Sequence, residues 1–395
     1  MVISSPMAVT KPRITFVIDR FYDELAGTER QLGRMIRGLA ERFEIDLICL
    51  RESDWVHNAG ARMPCTIRVF EIGGLRRLQT YRNAIGLTRY LRARKPMVVH
   101  TFFPISNIVG VLCARLAGVP WIVSSRRDYG EWMLPHYLAA TRFANLFVSH
   151  IVTNSHQVKR LTTDVEKVPA DRISVVYNGI DVASLKRQPP RIDLRRSLGI
   201  ADGNKVVGLI ANYRPMKRQE TLVRAARLIA DQRADIDFVL VGRNAVPGHP
   251  REAIEQLARD LNLQDRVHFS HAECNVADFL SIMDVGVNCS EGEGLSNAIM
   301  EYMAYGIPCV VSASGGNPDL IQDGITGRTF AVGDHAALAQ CVIDVIDDVA
   351  ARERFVRKAA ETVRTEMSMD TMVERYSAFY GSVPQDRRGH AAGTA

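Results

Sequence analysis

The chain has 395 residues, 47% hydrophobic and 24% charged, with a formal net charge of +6. That length is long for one domain and comfortable for two, and the composition is that of a soluble globular protein. The small positive excess excludes the strongly basic balance of a nucleic-acid protein, and no stretch approaches the roughly 18–20 uninterrupted apolar residues of a membrane-spanning helix.

Met1–Arg13 carries no apolar leader segment. Seven cysteines, at 49, 65, 113, 274, 289, 309 and 341, include no C-x-x-C pair. Several lie in apolar runs, so buried reduced thiols and a cytoplasmic setting are expected. Short apolar runs alternate with amphipathic ones. Ile14–Ile18 predicts a strand, and Glu29–Phe43 a helix with Leu32, Met35, Ile36 and Leu39 on one face. Strands follow at Ile45–Leu50, Ile67–Ile72, Met97–His100, Trp121–Ser124, Ile151–Asn154 and Ile173–Val176. The alternation pauses over Asn178–Gly199, which holds Asn-Gly and Pro-Pro and predicts a linker. It resumes with Val206–Ala211, Phe238–Val241, Val267–Ser270, Val285–Asn288, Cys309–Ser312 and Arg328–Phe330. Two runs of βαβ units imply an α/β protein of two doubly wound, Rossmann-like parallel-sheet domains facing a cleft, with ligands at the carboxyl ends of the strands. The expected limits are 1–190, 191–368, an amphipathic C-terminal helix over 369–383, and a polar tail, 384–395, predicted to be disordered.

The chemistry concentrates in Ser290–Leu320, SEGEGLSNAIMEYMAYGIPCVVSASGGNPDL. A strand ends, a Gly-containing turn follows, and a helix begins. Backbone N–H groups near Gly294, Leu295 and Ser296 suit a phosphate. Glu293 lies in the turn and Glu301 two helical turns on, so one carboxylate can meet a sugar and the other a ribose. The plain alternative is a helix N-terminal charge and a solvated face.

This segment resembles the E-x7-E motif of the family 4 retaining glycosyltransferases (GT-B fold, glycosyl transferases group 1). Other pieces resemble that family in order: LAGTERQL (25–32) its first Gly-rich turn, VTNS (152–155) a strand end, VYNGID (176–181) a signature before the linker, and IANYRPMKRQETLV (210–223) its phosphate-binding Arg/Lys segment. The resemblance runs from about Arg13 to Tyr380 and includes a last helix that crosses back to domain one. It implies that domain one takes the acceptor and domain two a UDP- or GDP-sugar. Lys217 and Arg214 would neutralise the diphosphate, Glu301 would hold the ribose, and Glu293 the transferred sugar. Amides at Gly294, Leu295 and Ser296 would hold phosphate and sugar oxygens, with Gly27 and Thr28 approaching the diphosphate. No cofactor and no metal are implied. Transfer with retention would proceed by same-face substitution, with Glu293 as a covalent nucleophile the less favoured route.

The chain departs from the family at three places. Asn212 stands where an Arg is frequent, so Arg214 would substitute. Ala26 replaces the first Gly of the turn. Arg127-Asp128 replaces a frequent His-Asp whose His meets the donor sugar, so Arg126 or Arg127 becomes a donor or acceptor contact. His100, closing a strand, is a further candidate. Asp235-Ile236-Asp237 matches a metal-binding D-x-D but precedes a buried strand at its amino end. The histidines 249, 268 and 271 lack metal-site spacing.

Arg62–Lys95 concentrates Arg68, Arg76, Arg77, Arg82, Arg89, Arg92, Arg94 and Lys95 against Glu71, with Leu78, Tyr81, Ile85, Leu87, Tyr90 and Leu91 interleaved. A solvated helix face and an anionic membrane or lipid-phosphate surface both fit, and Trp132, Met133, Leu134 and Tyr137 could assist the second. The expected function is transfer of a hexose or N-acetylhexosamine to a glycan or lipid-linked acceptor, at or near the inner face of the membrane. A nucleotide-sugar epimerase and a non-catalytic membrane partner are the alternatives. No G-x-G-x-x-G follows the first strand, which disfavours a dehydrogenase.

Overall fold

The computed structural model describes residues 11–24, 27–58, 60–73, 77–130, 134–185, 187–244, 250–270 and 275–383. The chain folds as two compact units. The first comprises 1–154, 158–179 and 369–395, and the second 155–157 and 180–368.

The first unit holds strands β1 (Arg13–Ile18), β2 (Glu44–Cys49), β3 (Thr66–Val69), β4 (Val98–Phe102), β5 (Trp121–Arg126), β6 (His150–Thr153) and β7 (Ile173–Val175). They form one parallel sheet in the order β3-β2-β1-β4-β5-β6-β7. The helix Gly27–Leu39 buries Leu32, Met35, Ile36 and Leu39, the stripe its spacing predicts, against Phe16, Phe43 and Leu47. Met372, Tyr376 and Tyr380 of the C-terminal helix Met369–Gly381 join that same core. The two helices pack so closely that a Cβ on Gly38 would lie 2.3 Å from Val373.

The second unit holds β8 (Lys205–Ile210), β9 (Ile236–Val241), β10 (Val267–Ser270), β11 (Val285–Asn288), β12 (Cys309–Ser312) and β13 (Arg328–Phe330), again parallel, in the order β10-β9-β8-β11-β12-β13. In both sheets the strand order reverses once, between β1 and β4 in the first and between β8 and β11 in the second. The crevice at the carboxyl ends of those two strands is where ligands bind in open α/β sheets.

Three details differ from expectation. The boundary lies at 179/180 instead of 190/191. The linker is tied to the second unit, because the Gln188 N–H donates to the Tyr305 hydroxyl at 2.8 Å and the Arg191 N–H to Ser281 Oγ at 3.2 Å. It also contains a short helix, Ile192–Ser197. Asp235-Ile236-Asp237 does not precede its strand but enters it. Asp237 is buried in β9 between Asn204, at 2.7 Å, and His268, at 2.9 Å. Asp235 pairs with Arg233 at 2.8 Å.

The basic stretch divides. Its first part is β3, and the helix runs Leu78–Arg94. Leu87 and Leu91 are buried, and Arg94 turns inward to Asp46 and Glu44, each at 2.8 Å. Arg77, Arg82, Arg89 and Arg92 are exposed, together with Leu78, Tyr81 and Ile85. Cys49, Cys113, Cys289, Cys309 and Cys341 are buried free thiols, and Cys65 is half-buried. No helix among the described residues is long and apolar enough to cross a membrane. Ala26, Arg76, Trp132, Met133, His249, His271, Cys274 and the 384–395 tail lie outside the described residues.

Candidate active site

At the switch point of the second sheet, β8 ends at Ile210 and β11 at Asn288. The loop after β8 makes a short turn, Pro215–Lys217, with Arg218 in the left-handed region at φ 51°. The loop after β11 carries Glu293. The two loops are joined at three levels. The Glu291 N–H donates to the Met216 carbonyl at 2.9 Å. Arg218 Nε donates to Glu291 Oε2 at 2.7 Å. Lys217 Nζ meets Glu293 Oε1 at 2.6 Å, with both side chains largely shielded from solvent.

Glu293 also accepts from Asn288 Nδ2 at 3.1 Å and from the Ser290 hydroxyl. Burial pushes its pKa up, but the Lys217 ammonium and these hydrogen bonds outweigh burial and hold it below the ordinary carboxylate value. Glu293 is therefore an ionised, oriented carboxylate at neutral pH. Asn288 is the hub behind it. Its amide also donates to Ser296 Oγ at 3.2 Å, while its Oδ1 accepts from the Ser290 N–H at 3.0 Å and from Asn317 Nδ2 at 3.2 Å. Ser296 precedes the helix Asn297–Tyr305 and makes no side-chain cap hydrogen bond to it; a helix start is a place that suits an oxyanion. Glu301 lies one turn into this helix and is buried. Gly294 and Leu295 are also buried, whereas Arg214 is exposed and has no side-chain partner among the described residues.

The Gly-Gly turn after β12 fits against this loop. Gly315 has φ 56°, and a Cβ there would stand 2.4 Å from the Glu293 carbonyl oxygen. A Cβ on Gly316 would stand 2.0 Å from the Gly294 carbonyl oxygen. The Gly316 N–H donates to Glu293 O at 2.8 Å. Only a residue without a side chain allows that approach. Asn288, Ser290 and Asn317 were not singled out by the sequence reasoning. Their signal was present, as small polar residues where buried strands end, but it is shared with ordinary turns.

The first unit arranges its polar residues differently. His100, on β4, is fully buried, with Nδ1 2.7 Å from the Tyr380 hydroxyl and Nε2 2.8 Å from Ser125 Oγ. Burial, and then the charge of Arg127, lower its pKa well below the usual value, so it stays neutral. Its two ring nitrogens are spent inside the unit rather than offered to a ligand. Arg126 is likewise committed: it grips Glu166 bidentately at 2.7 and 2.8 Å and donates to Asn145 at 2.9 Å, all in the core. Arg127 lines a small cavity with Thr28, Phe103, Pro104, Asn107, Ser125, Arg126 and Asp128. Gly27 is exposed at the start of its helix. The Asn-Gly of VYNGID is fastened to that helix, since the Gly179 N–H donates to Gln31 at 3.0 Å and Arg34 donates to the Gly179 carbonyl at 2.9 Å.

Comparison with known proteins agrees with this architecture. Residues 190–362 match the profile described as glycosyl transferases group 1, and residues 25–184 that of glycosyltransferase family 4. The chain belongs to the family 4 glycosyltransferases. It is 32% identical over 240 residues to an N-acetyl-alpha-D-glucosaminyl L-malate synthase of Bacillus anthracis, an alignment covering 60% of this chain and 61% of that one. It is 26% identical to the UDP-Gal:alpha-D-GlcNAc-diphosphoundecaprenol alpha-1,3-galactosyltransferase of Escherichia coli, over 78% of this chain and 81% of that one. Among solved structures, Anabaena Alr3699/HepE in complex with UDP superposes with a TM-score of 0.83 at 20% identity, covering 94% of this chain and 100% of that one. At that identity the likeness establishes the GT-B fold alone.

Proposed function

We propose that the protein moves a hexose or N-acetylhexosamine from a UDP- or GDP-sugar to a glycan or lipid-linked acceptor, with retention and without a metal. The observation that carries this is the meeting of Lys217 and Glu293 at the carboxyl ends of β8 and β11. Lys217 Nζ has three N–H donors. One suffices for Glu293, and the others can oppose the charge that grows on the diphosphate as the sugar leaves. Arg214, exposed on the same loop, adds a second cation, and the amides at Gly294–Ser296 take phosphate oxygens. Glu293, ionised and held by Asn288 and Ser290, accepts from sugar hydroxyls, and Glu301 from the ribose. Gly27 and Thr28 serve the diphosphate from the first unit. The sugar C1–O bond to the leaving phosphate breaks while the acceptor oxygen bonds to C1 on the same face, and the acceptor proton passes to the departing phosphate oxygen. The galactosyltransferase relative acts, by its name, on a diphosphoundecaprenol-linked sugar, which favours a lipid-linked acceptor here too. The exposed Arg77, Arg82, Arg89 and Arg92 beside Leu78, Tyr81 and Ile85 then suit an anionic inner-membrane surface, each cation contributing about 1 kcal/mol near it.

The test is release of nucleoside diphosphate from a panel of UDP- and GDP-sugars with EDTA present, and the anomeric configuration of the product. Turnover that survives EDTA and gives the donor's anomer is expected. Strict dependence on added Mg²⁺ or Mn²⁺, or inversion, contradicts the proposal.

A further inference from the structure

Arg127 follows β5, near the switch point of the first sheet. Its guanidinium donates to Asn178 Oδ1, and the Tyr376 hydroxyl stands beside it. Both partners are neutral. Among the described residues no carboxylate forms an ion pair with Arg127, whereas the adjacent Arg126 has Glu166 at 2.7 Å. Asp128, on the same cavity, accepts the Gly130 N–H at 3.1 Å. Taking a cation out of water without a counter-charge is costly, and fixed structure tolerates it where a ligand completes the pair.

Two neighbouring polar side chains of the cavity, Asn107 and Ser125, are already satisfied. Asn107 Oδ1 accepts from Thr101 at 2.7 Å and from Ser124 at 3.0 Å, and Asn107 Nδ2 donates to the Ser125 carbonyl at 3.1 Å. Ser125 Oγ is shared with His100. A guanidinium has five N–H donors in a planar fork that matches a carboxylate or phosphate. Asn178 takes one of them. Arg126, on the same cavity, is spent on Glu166 and Asn145, so Arg127 is the cavity's charged donor with N–H groups to spare, and Asn178 holds it.

We propose that this cavity is an anion subsite, in which Arg127 takes a carboxylate or phosphate carried by one of the two substrates; this rests on the glycosyltransferase function proposed above. A negatively charged group on the transferred sugar and one on the acceptor share this chemistry.

Titrations of the full chain separate the two sources. The ligands are UDP, UDP-glucose and UDP-glucuronate, then malonate and inorganic phosphate in the presence of UDP. The proteins are wild type, Arg127→Gln and Arg127→Lys. If the anion belongs to the donor, wild type binds UDP-glucuronate at least about tenfold more tightly than UDP-glucose, Arg127→Gln abolishes the preference, and Arg127→Lys keeps part of it. If it belongs to the acceptor, the donors bind alike, while malonate or phosphate binds wild type and is weakened at least about tenfold in Arg127→Gln, with partial recovery in Arg127→Lys. UDP affinity should be equal in all three proteins. A wild-type protein that binds UDP, does not distinguish the two donors, and takes up neither malonate nor phosphate overturns the subsite. Failure to bind both UDP and GDP would count against the glycosyltransferase function instead, and the malonate and phosphate titrations, repeated without nucleotide, would still decide the subsite.

Discussion

The two switch points use charge in opposite ways. In the second unit, Lys217 and Glu293 come from separate loops and neutralise each other at 2.6 Å. In the first, His100 and Arg126 are turned into the core, and among the described residues no carboxylate pairs with Arg127. A paired site can exchange one partner for a ligand without ever exposing a bare charge. An unpaired cation is completed only when an anion arrives. On the proposed reading the same sheet topology serves two kinds of recognition, and the difference lies in which loop residues are spent on the protein itself.

The sharpest way to break the comparison is to remove the second unit's cation. Lys217→Ala should lower turnover by about 10²-fold or more, the scale of losing one donor aimed at developing charge. Circular dichroism should report a folded protein. Near-normal turnover would take Lys217 out of the mechanism.

A smaller effect comes from the turn that shapes the same loop. Gly316→Ala places a methyl 2.0 Å from the Gly294 carbonyl oxygen, so the loop must move. Overpacking of this kind costs about 1–3 kcal/mol. A lowered melting temperature with nucleotide affinity reduced about tenfold is expected. An unchanged affinity would detach the Gly-Gly turn from the site.

The first unit should answer to pH instead. His100 has a folded-state pKa lowered by burial and by Arg127. Below the unfolded value of about 6.5 the unfolded chain binds a proton that the folded chain refuses. Stability then falls as pH drops, by up to about 1.4 kcal/mol per unit, until the folded pKa is reached. Thermal unfolding of wild type and His100→Gln between pH 7 and 5 checks this. The variant should be less stable at pH 7 and flatter with pH. Parallel curves would mean that His100 does not titrate on unfolding.

Most of the fold was legible because buried parallel strands are short apolar runs, and every expected strand has a counterpart. Strand ends were less legible. Thr66–Val69 is shorter than Ile67–Ile72 suggested, and Ile236–Val241 starts earlier than Phe238, because Asp237 is carried inside by Asn204 and His268. No local pattern announces such a distant rescue of a buried acid. The second unit's candidate residues were legible for the opposite reason: Glu293, Gly294, Ser296 and Glu301 stand within one short segment. The first unit's were not, since the partners that decide His100 and Arg127 come from residues 125, 178, 376 and 380, and periodicity carries no record of such meetings.

In the proposed mechanism the segment after β11 divides the donor within itself, Glu301 holding the nucleotide and Glu293 the sugar. Calorimetric titration of Glu301→Ala and Glu293→Ala with UDP and with the preferred UDP-sugar tests it directly. Glu301→Ala should weaken both ligands alike, by about tenfold, the worth of a charged hydrogen bond. Glu293→Ala should leave UDP affinity nearly unchanged and weaken the UDP-sugar. Equal loss of UDP affinity in the two variants would contradict the division.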